Sequence, residues 1–262
     1  MRKRFLPAWS YTPLALGFWV GLWWLISAIY AKPLVLPSPI DTLRTLARLA
    51  ATGEFYLTVA LSLGRIVLGI LLALAAGTAL AILSVKSAFF HRLLSPLLSL
   101  FKATPVASII FLMLLWIGRA RIPFVIAFMM ALPIVFANVR EGLLQTDRKL
   151  LEMASVFEVS SGRVLHGIRL PSLKPYFLAA TRSAISLAWK AGIAAEVLCT
   201  PEHSIGRAIY EGKLYIMTEE LFAWTLLVIL ISVLVEQLAL YLLDKPASTM
   251  KKRHNGKGEV QS

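Results

Sequence analysis

The sequence has few of the residues that build disulfide, metal or redox sites. It contains a single cysteine, Cys199, so no disulfide can form within the chain. Its four histidines, His91, His166, His203 and His254, show none of the spacings that are typical of metal ligands. We therefore predict no metal site and no redox chemistry.

Charged residues are scarce as well. They make up 16% of the 262 residues, whereas 58% of the residues are hydrophobic and the mean hydropathy is +0.74. A water-soluble fold could not bury this much apolar surface, so the composition indicates an integral membrane protein. The net charge of +13 does not indicate nucleic-acid binding, because the basic residues are spread over several segments and no nucleic-acid-binding motif accompanies them.

Long apolar segments occupy most of the chain. A helix needs about 20 apolar residues to cross a hydrocarbon core of about 30 Å. We predict an all-α, polytopic membrane protein with six transmembrane helices. The predicted spans are 12–31, 62–85, 93–118, 122–141, 176–198 and 221–243.

The Lys and Arg residues outside the spans predict the orientation. With an even number of spans, both termini lie on one side of the membrane. Placing the N-terminus in the cytoplasm leaves about twice as many basic residues inside as outside, as the positive-inside rule requires. Both termini are therefore predicted to be cytoplasmic.

Segments outside the spans have distinct characters. The segment 32–57 is predicted outside and includes a short amphipathic helix along the membrane surface, in which Leu43, Leu46 and Leu49 share one face. The tail 246–262, rich in Lys and Gly, is predicted to be disordered and to contact lipid headgroups at most.

The cytoplasmic segment between the fourth and fifth spans, 142–175, contains a motif. Glu152-Met153-Ala154 is followed by Ile168, Leu170 and Pro171. This pattern resembles the EAA signature of the permeases of binding-protein-dependent ABC importers, in which Glu-Ala-Ala is followed by a glycine and then by Ile-x-Leu-Pro. The expected position of the glycine holds Glu158, and the nearest glycine is Gly162, so the departure concerns the local turn.

An amphipathic helix is predicted over 149–166. Its apolar strip contains Leu150, Met153, Ala154, Phe157 and Ser161. Such a strip either packs against the membrane bundle or inserts into a groove of a soluble partner, and the resemblance favours docking of an ATPase. Pro171 is predicted to interrupt this helix before the fifth span.

Further short matches are similar to the nitrate, sulfonate and taurine branch of that family. They are Leu36-Pro37-Ser38-Pro39, Ser62-Leu63-Gly64-Arg65, Thr104-Pro105, Leu115-Trp116-Ile117-Gly118 and Ala194-Ala195-Glu196. The resemblance implies one permease domain over 1–262, like that of a type I ABC importer in the bacterial inner membrane. It also implies a homodimer, a separate ABC ATPase on the cytoplasmic face, an extracytoplasmic solute-binding protein and a small anionic solute.

The fifth predicted span contains charged residues. Lys190 lies near its middle, where a charge is unfavourable by about 2.5–3.5 kcal/mol unless it has water or a partner. Lys190 either lines the pathway and attracts an anionic solute, or forms an ion pair with Glu196 or Glu236. Glu196, near the outer end of the span, is expected to be a gate or a packing contact.

The alternatives to an importer permease are a secondary transporter or channel and an intramembrane enzyme. A stand-alone secondary transporter or channel would use Lys190, Glu196 and Glu236 as an ion-coupling path and would not need the loop 142–175. An intramembrane enzyme lacks support, because the predicted spans contain no Ser/His pair, paired Asp or HExxH motif. The chain has no GxxxxGKS or GxxxxGKT loop either, so we predict that it is not an enzyme, that it needs no cofactor and that a separate subunit hydrolyses ATP.

Overall fold

A computed structural model describes residues 11–32 and 34–244 of the chain. This part of the chain contains eleven α-helices and no β-strand. The helices are α1 Tyr11–Tyr30, α2 Pro39–Ala50, α3 Gly53–Lys86, α4 Ala88–Ala103, α5 Val106–Met113, α6 Ile122–Leu144, α7 Arg148–Val156, α8 Ser161–Val164, α9 Leu170–Cys199, α10 Ile205–Leu214 and α11 Thr218–Asp244. The tail 246–262, which was predicted to be disordered, lies outside the described residues. The cytoplasmic placement of the two termini stays a prediction.

Four of these helices are long and apolar enough to cross a membrane: α1, α3, α6 and α11. The bent pair of α4 and α5 makes a fifth candidate span. Helix α9 has 30 residues, which is long enough, but it includes Lys174, Arg182, Lys190 and Glu196. The all-α, polytopic membrane fold predicted from the sequence is confirmed.

The predicted third span, 93–118, is not one straight helix. Helices α4 and α5 meet at an angle of 99°. The break lies at Thr104, whose ψ of 130° is extended and not helical. Pro105 disfavours the helical conformation of the residue before it and has no N–H to donate, which accounts for the break.

Helices α3, α6 and α9 form the centre of the fold. Ile66 of α3, Val135 of α6 and Trp189 of α9 are fully buried in one apolar cluster. The indole Nε1 of Trp189 donates a hydrogen bond of 3.2 Å to the carbonyl oxygen of Val228 in α11, so the polar atom of this buried side chain has a partner.

Close contact between α3 and α6 depends on a small residue at Gly69. A Cβ atom at this position would lie 2.5 Å from the carbonyl oxygen of Phe124 and 3.0 Å from Cβ of Ala127. Small residues commonly permit such close approach of transmembrane helices.

We expect Gly69→Ala to destabilise the protein by about 1–3 kcal/mol, because the added methyl group meets backbone that cannot move aside freely. Gly64 is a matched control on the same helix, since no atom lies within 4 Å of a Cβ built there. Gly64→Ala should be neutral or stabilising by up to about 1 kcal/mol. Thermal denaturation of the detergent-solubilised variants measures both effects, and equal melting temperatures would contradict the expectation.

Helix α2 packs against α11 through polar as well as apolar side chains. Thr42 and Thr45 are buried, and Thr45 Oγ1 donates a hydrogen bond of 3.0 Å to Glu219. Leu46 and Leu49 pack against the core, but Leu43 is exposed. The short helix predicted within 32–57 is α2, and its buried threonines face the protein. That it lies along the membrane surface stays a prediction.

Candidate functional site

The segment between α6 and α9 begins with a capped helix. The carboxylate of Asp147 accepts a hydrogen bond of 2.8 Å from the N–H of Lys149, which satisfies a free donor in the first turn of α7. Helix α7 ends at Val156 and α8 begins at Ser161. The single helix predicted over 149–166 is therefore two helices with a turn between them.

A left-handed turn ends α7. The N–H of Val159 donates to the carbonyl oxygen of Ala154 at 2.8 Å, and the N–H of Glu158 donates to that of Ser155 at 3.1 Å. These two bonds form a Schellman motif, which satisfies carbonyls at the helix end. The motif requires a positive φ at Glu158, and the observed φ is 48°.

Glu158 occupies the position at which the EAA signature has a glycine. Glycine adopts a positive φ without a steric penalty, whereas the left-handed conformation costs other residues about 1–2 kcal/mol. Gly162 does not replace the missing glycine, because it lies within α8 and no glycine in the described ranges has a positive φ. The turn is therefore formed with a glutamate at the strained position.

The apolar residues of α7 divide between two sides. Val156 and Phe157 are 79% and 75% exposed, and Leu150 and Met153 are also exposed. We call these four residues the exposed α7 surface. Ala154, which the sequence placed on the same strip, is only 3% exposed and faces the protein. Ala154 is buried because it lies on the side of α7 that faces the next helix. Phe157 lies in the turn after Val156 and does not follow the helical periodicity.

Ala154 lies beside a cavity between α7 and the next helix. The cavity has a volume of about 300 Å³. Its lining residues are Leu151, Ala154, Ser155, Val159, Ser161, Val164, Leu165 and Arg169. Ala154 therefore contributes to packing within the subunit and not to its outer surface.

The sequence predicted that Pro171 interrupts the helix before the fifth span. The structure shows no such interruption. Helix α8 continues through a π-helical segment, Leu165–Arg169, directly into α9. The N–H of Leu170 donates to the carbonyl oxygen of Leu165, five residues earlier. Pro171 lies in the first turn of α9, and the wider π-turn before it accommodates the proline without a break. Ile168 is half-buried, whereas Glu152 and Leu170 are exposed.

Lys190 is exposed on α9. Its ammonium group forms no ion pair or hydrogen bond with any residue in the described ranges. Each of the two predicted partners has another cation: Arg65 lies 3.6 Å from Glu196, and Arg182 lies 3.2 Å from Glu236. The alternative in which Lys190 pairs with either carboxylate is therefore not seen within the subunit.

Glu196 connects three helices at one end of the bundle. Its side chain is fully buried, and its Oε2 accepts hydrogen bonds from Ser62 Oγ of α3 at 2.8 Å and from the N–H of Gly206 in α10 at 3.1 Å. Ser62 Oγ also accepts a bond of 2.9 Å from the N–H of Ile205. Gly206 has to be a glycine here, because a Cβ atom would overlap Glu196 and the backbone after it.

Arg65 completes this arrangement, which we call the Glu196 cluster (Ser62, Arg65, Glu196 and Gly206). Its Nη2 donates a hydrogen bond of 3.1 Å to the carbonyl oxygen of Glu202, in the connection between α9 and α10. The predicted packing role of Glu196 fits this geometry. The sequence matched Ser62 and Arg65 to a family motif but gave no signal that they meet Glu196.

An open cleft with basic side chains adjoins the Glu196 cluster. It has a volume of about 430 Å³. Its lining includes Leu61, Arg65, Arg119, Ala120, Thr200, Pro201, Glu202, His203 and Arg207. The hydrogen bond from Arg207 Nε to Glu211, 2.7 Å long, raises the pKa of Arg207. Within residues 11–32 and 34–244, no group of three or more His, Cys, Asp or Glu side chains could hold a metal ion.

Comparison with known proteins gives consistent matches. The family described as binding-protein-dependent transport system inner membrane component matches residues 41–245. SsuC of Bacillus subtilis (strain 168), whose name assigns it to aliphatic sulfonates transport as a permease protein, is 26% identical over 85% of this chain and 80% of its own. The taurine transport system permease protein TauC of Escherichia coli (strain K12) is 23% identical, over 82% of this chain and 80% of its own. The nitrate import permease protein NrtB of Synechococcus elongatus is 29% identical, over 80% of this chain and 77% of its own.

Proposed function

The chain belongs to the family of binding-protein-dependent transport system inner membrane components, and we propose that it forms the pathway for a small anionic solute, with energy from a separate ATPase. It is an ABC importer permease of the sulfonate, taurine and nitrate branch, a multi-pass protein of the inner membrane. In the proposed assembly, two copies of the permease in the lipid bilayer enclose the pathway. A solute-binding protein docks outside, and both termini are cytoplasmic.

The exposed α7 surface carries the proposed coupling to the ATPase. Phe157 and Val156 are more than 70% exposed, and they lie at the C-terminal end of α7 and not within an apolar span. Exposed apolar side chains grouped on a short helix are typical of a surface that a partner covers. We assign Leu150, Glu152, Met153, Phe157 and Glu158 to the contact. Ala154 supports it from within the subunit. Gly162, Ile168, Leu170 and Pro171 belong to the segment after α7, which is proposed to hold α7 in position.

The position of Lys190 favours the proposal that the transported solute is an anion. A lysine without a partner on a membrane-spanning helix faces water or a second subunit, because burial against lipid would be costly. The relatives named for sulfonates, taurine and nitrate are named for compounds that carry a negatively charged group. Glu196 is proposed to hold the end of the pathway in place without contacting the solute.

We expect Lys190→Met to reduce uptake of an anionic solute at least about tenfold, which corresponds to the loss of one charge contact of about 1.4 kcal/mol or more. Lys190→Arg should retain most of the uptake, because it keeps the charge. The measurement is uptake of radiolabelled solute by proteoliposomes. The melting temperature of Lys190→Met should equal that of the wild type, since no carboxylate in the described ranges depends on Lys190. Wild-type uptake by Lys190→Met would reject the assignment.

A stand-alone secondary transporter is less consistent with the geometry. Such a carrier would need Lys190, Glu196 and Glu236 in one ion-coupling path. Glu196 is instead enclosed by Ser62, Arg65 and Gly206, and Glu236 is paired with Arg182.

Reconstitution tests the proposed function as a whole. The chain is placed in proteoliposomes with an ABC ATPase and a solute-binding protein from the same genome. We expect import only when all three proteins and ATP are present. Import by the chain alone, driven by an ion gradient, would favour the secondary transporter.

A further inference from the structure

Glu158 is locally unfavourable for two independent physical reasons. Its φ of 48° lies in the left-handed region, which glycine adopts readily and glutamate does not. Its carboxylate also follows the C-terminal end of α7, where the helix dipole presents partial negative charge. A glycine, or a lysine or asparagine, would suit the turn better than a glutamate.

No contact within the described part of the subunit offsets the backbone strain and the unfavourable charge of Glu158. The Glu158 side chain is exposed and forms no hydrogen bond or ion pair with any residue in the described ranges. The nearby Arg163 directs its Nε to Ser160 Oγ at 3.1 Å and not to Glu158. The Schellman hydrogen bonds use only the backbone of Glu158, so the turn itself does not need the carboxylate.

The position of Glu158 suggests what the carboxylate is for. It directly follows Phe157, the largest side chain of the exposed α7 surface, in the left-handed turn that ends α7. A residue held in a strained conformation by its surroundings is often placed there for a contact. We propose that Glu158 is a specificity-determining residue, whose carboxylate forms an ion pair with a basic side chain of the ATPase at the edge of the α7 contact. This inference rests on the proposed coupling function.

Three variants separate the charge from the strain. Glu158→Gln removes the charge and keeps the side chain, Glu158→Gly removes both the charge and the strain, and Glu158→Lys reverses the charge. Glu202→Gln, an exposed carboxylate in the connection between α9 and α10, is the control. Each full-length variant is incorporated into nanodiscs, and its dissociation constant for the ATPase used in the reconstitution is measured at about 50 mM and about 500 mM salt.

We expect Glu158→Gln to weaken ATPase binding about tenfold at the lower salt concentration, with most of this difference lost at the higher one. Glu158→Gly should weaken binding similarly but raise the melting temperature by about 2–4 °C, because the strain is relieved. Glu158→Lys should bind most weakly, and Glu202→Gln should bind like the wild type.

The opposite signs of the two effects of Glu158→Gly distinguish a contact from a purely structural role. Wild-type affinity of Glu158→Gln at both salt concentrations would overturn the inference while leaving the coupling function intact. A wild-type chain that does not bind the ATPase at all would overturn the coupling function, and the inference with it.

Discussion

Phe157→Ala should abolish coupling to the ATPase and leave the permease folded. Phe157 is 75% exposed, and exposed substitutions usually change stability by no more than about 0.5 kcal/mol. Aromatic residues at the centre of an interface commonly contribute 2 kcal/mol or more, so the dissociation constant for the ATPase should rise about 30-fold or more. ATP hydrolysis stimulated by the solute-loaded binding protein should fall to its basal rate in proteoliposomes.

Two companion variants make this result interpretable. Phe157→Leu keeps an apolar side chain and should retain most of the stimulated hydrolysis. Ala154→Arg should behave differently, because Ala154 is buried beside the cavity between α7 and α8, and a cation placed there should lower the melting temperature of the permease itself. Full ATPase binding and full stimulation by Phe157→Ala would show that the exposed α7 surface is not the coupling element.

The long apolar helices could be predicted from the sequence because their composition alone identifies them. Helices α3 and α6 contain the predicted spans 62–85 and 122–141 with extra turns at their ends, since helix ends depend on capping and neighbouring helices more than on hydropathy. Pro105 accounts for the position of the 99° break after Thr104. The angle between the two helices could not be predicted, because it depends on the packing of α5 against α6 and α9.

In the segment 142–175, local features could also be predicted from the sequence, whereas features that depend on packing could not. The spacing from Glu152 to Pro171 identified the family, which the comparison confirmed. The side on which Ala154 lies could not be predicted, because it depends on how α7 packs against α8. The turn at Glu158 was concealed because the sequence carries a glutamate where the conformation favours glycine.

The Glu196 cluster was least accessible to sequence reasoning. Its members come from α3, α9 and α10, and Ser62 is 134 positions away from Glu196. Charge alone suggested Lys190 as the partner of Glu196, since both lie on one predicted span. The structure pairs Glu196 with Arg65, which the sequence had matched to a family motif without giving it a partner.

Glu196→Ala should be the most destabilising single substitution considered for this protein. It leaves the N–H of Gly206 and the hydroxyl of Ser62 without their acceptor, and it leaves Arg65, whose side chain is 17% exposed, without its counter-charge. Removing one member of a buried ion pair typically costs about 3–5 kcal/mol. We expect the melting temperature of the detergent-solubilised protein to fall by about 10 °C.

Substitutions that keep part of the cluster show which of its interactions matters. Glu196→Gln can still accept from Ser62 and Gly206 and should lose less stability than Glu196→Ala. Combining Glu196→Gln with Arg65→Met removes the uncompensated cation and should restore part of the loss. Glu236→Gln is the matched control, because its pair with Arg182 is partly exposed and should contribute about 1 kcal/mol or less. Equal melting temperatures of Glu196→Ala and Glu236→Gln would show that the hydrogen bonds and the ion pair of Glu196 contribute no measurable stability. The cluster would then not hold α3, α9 and α10 together.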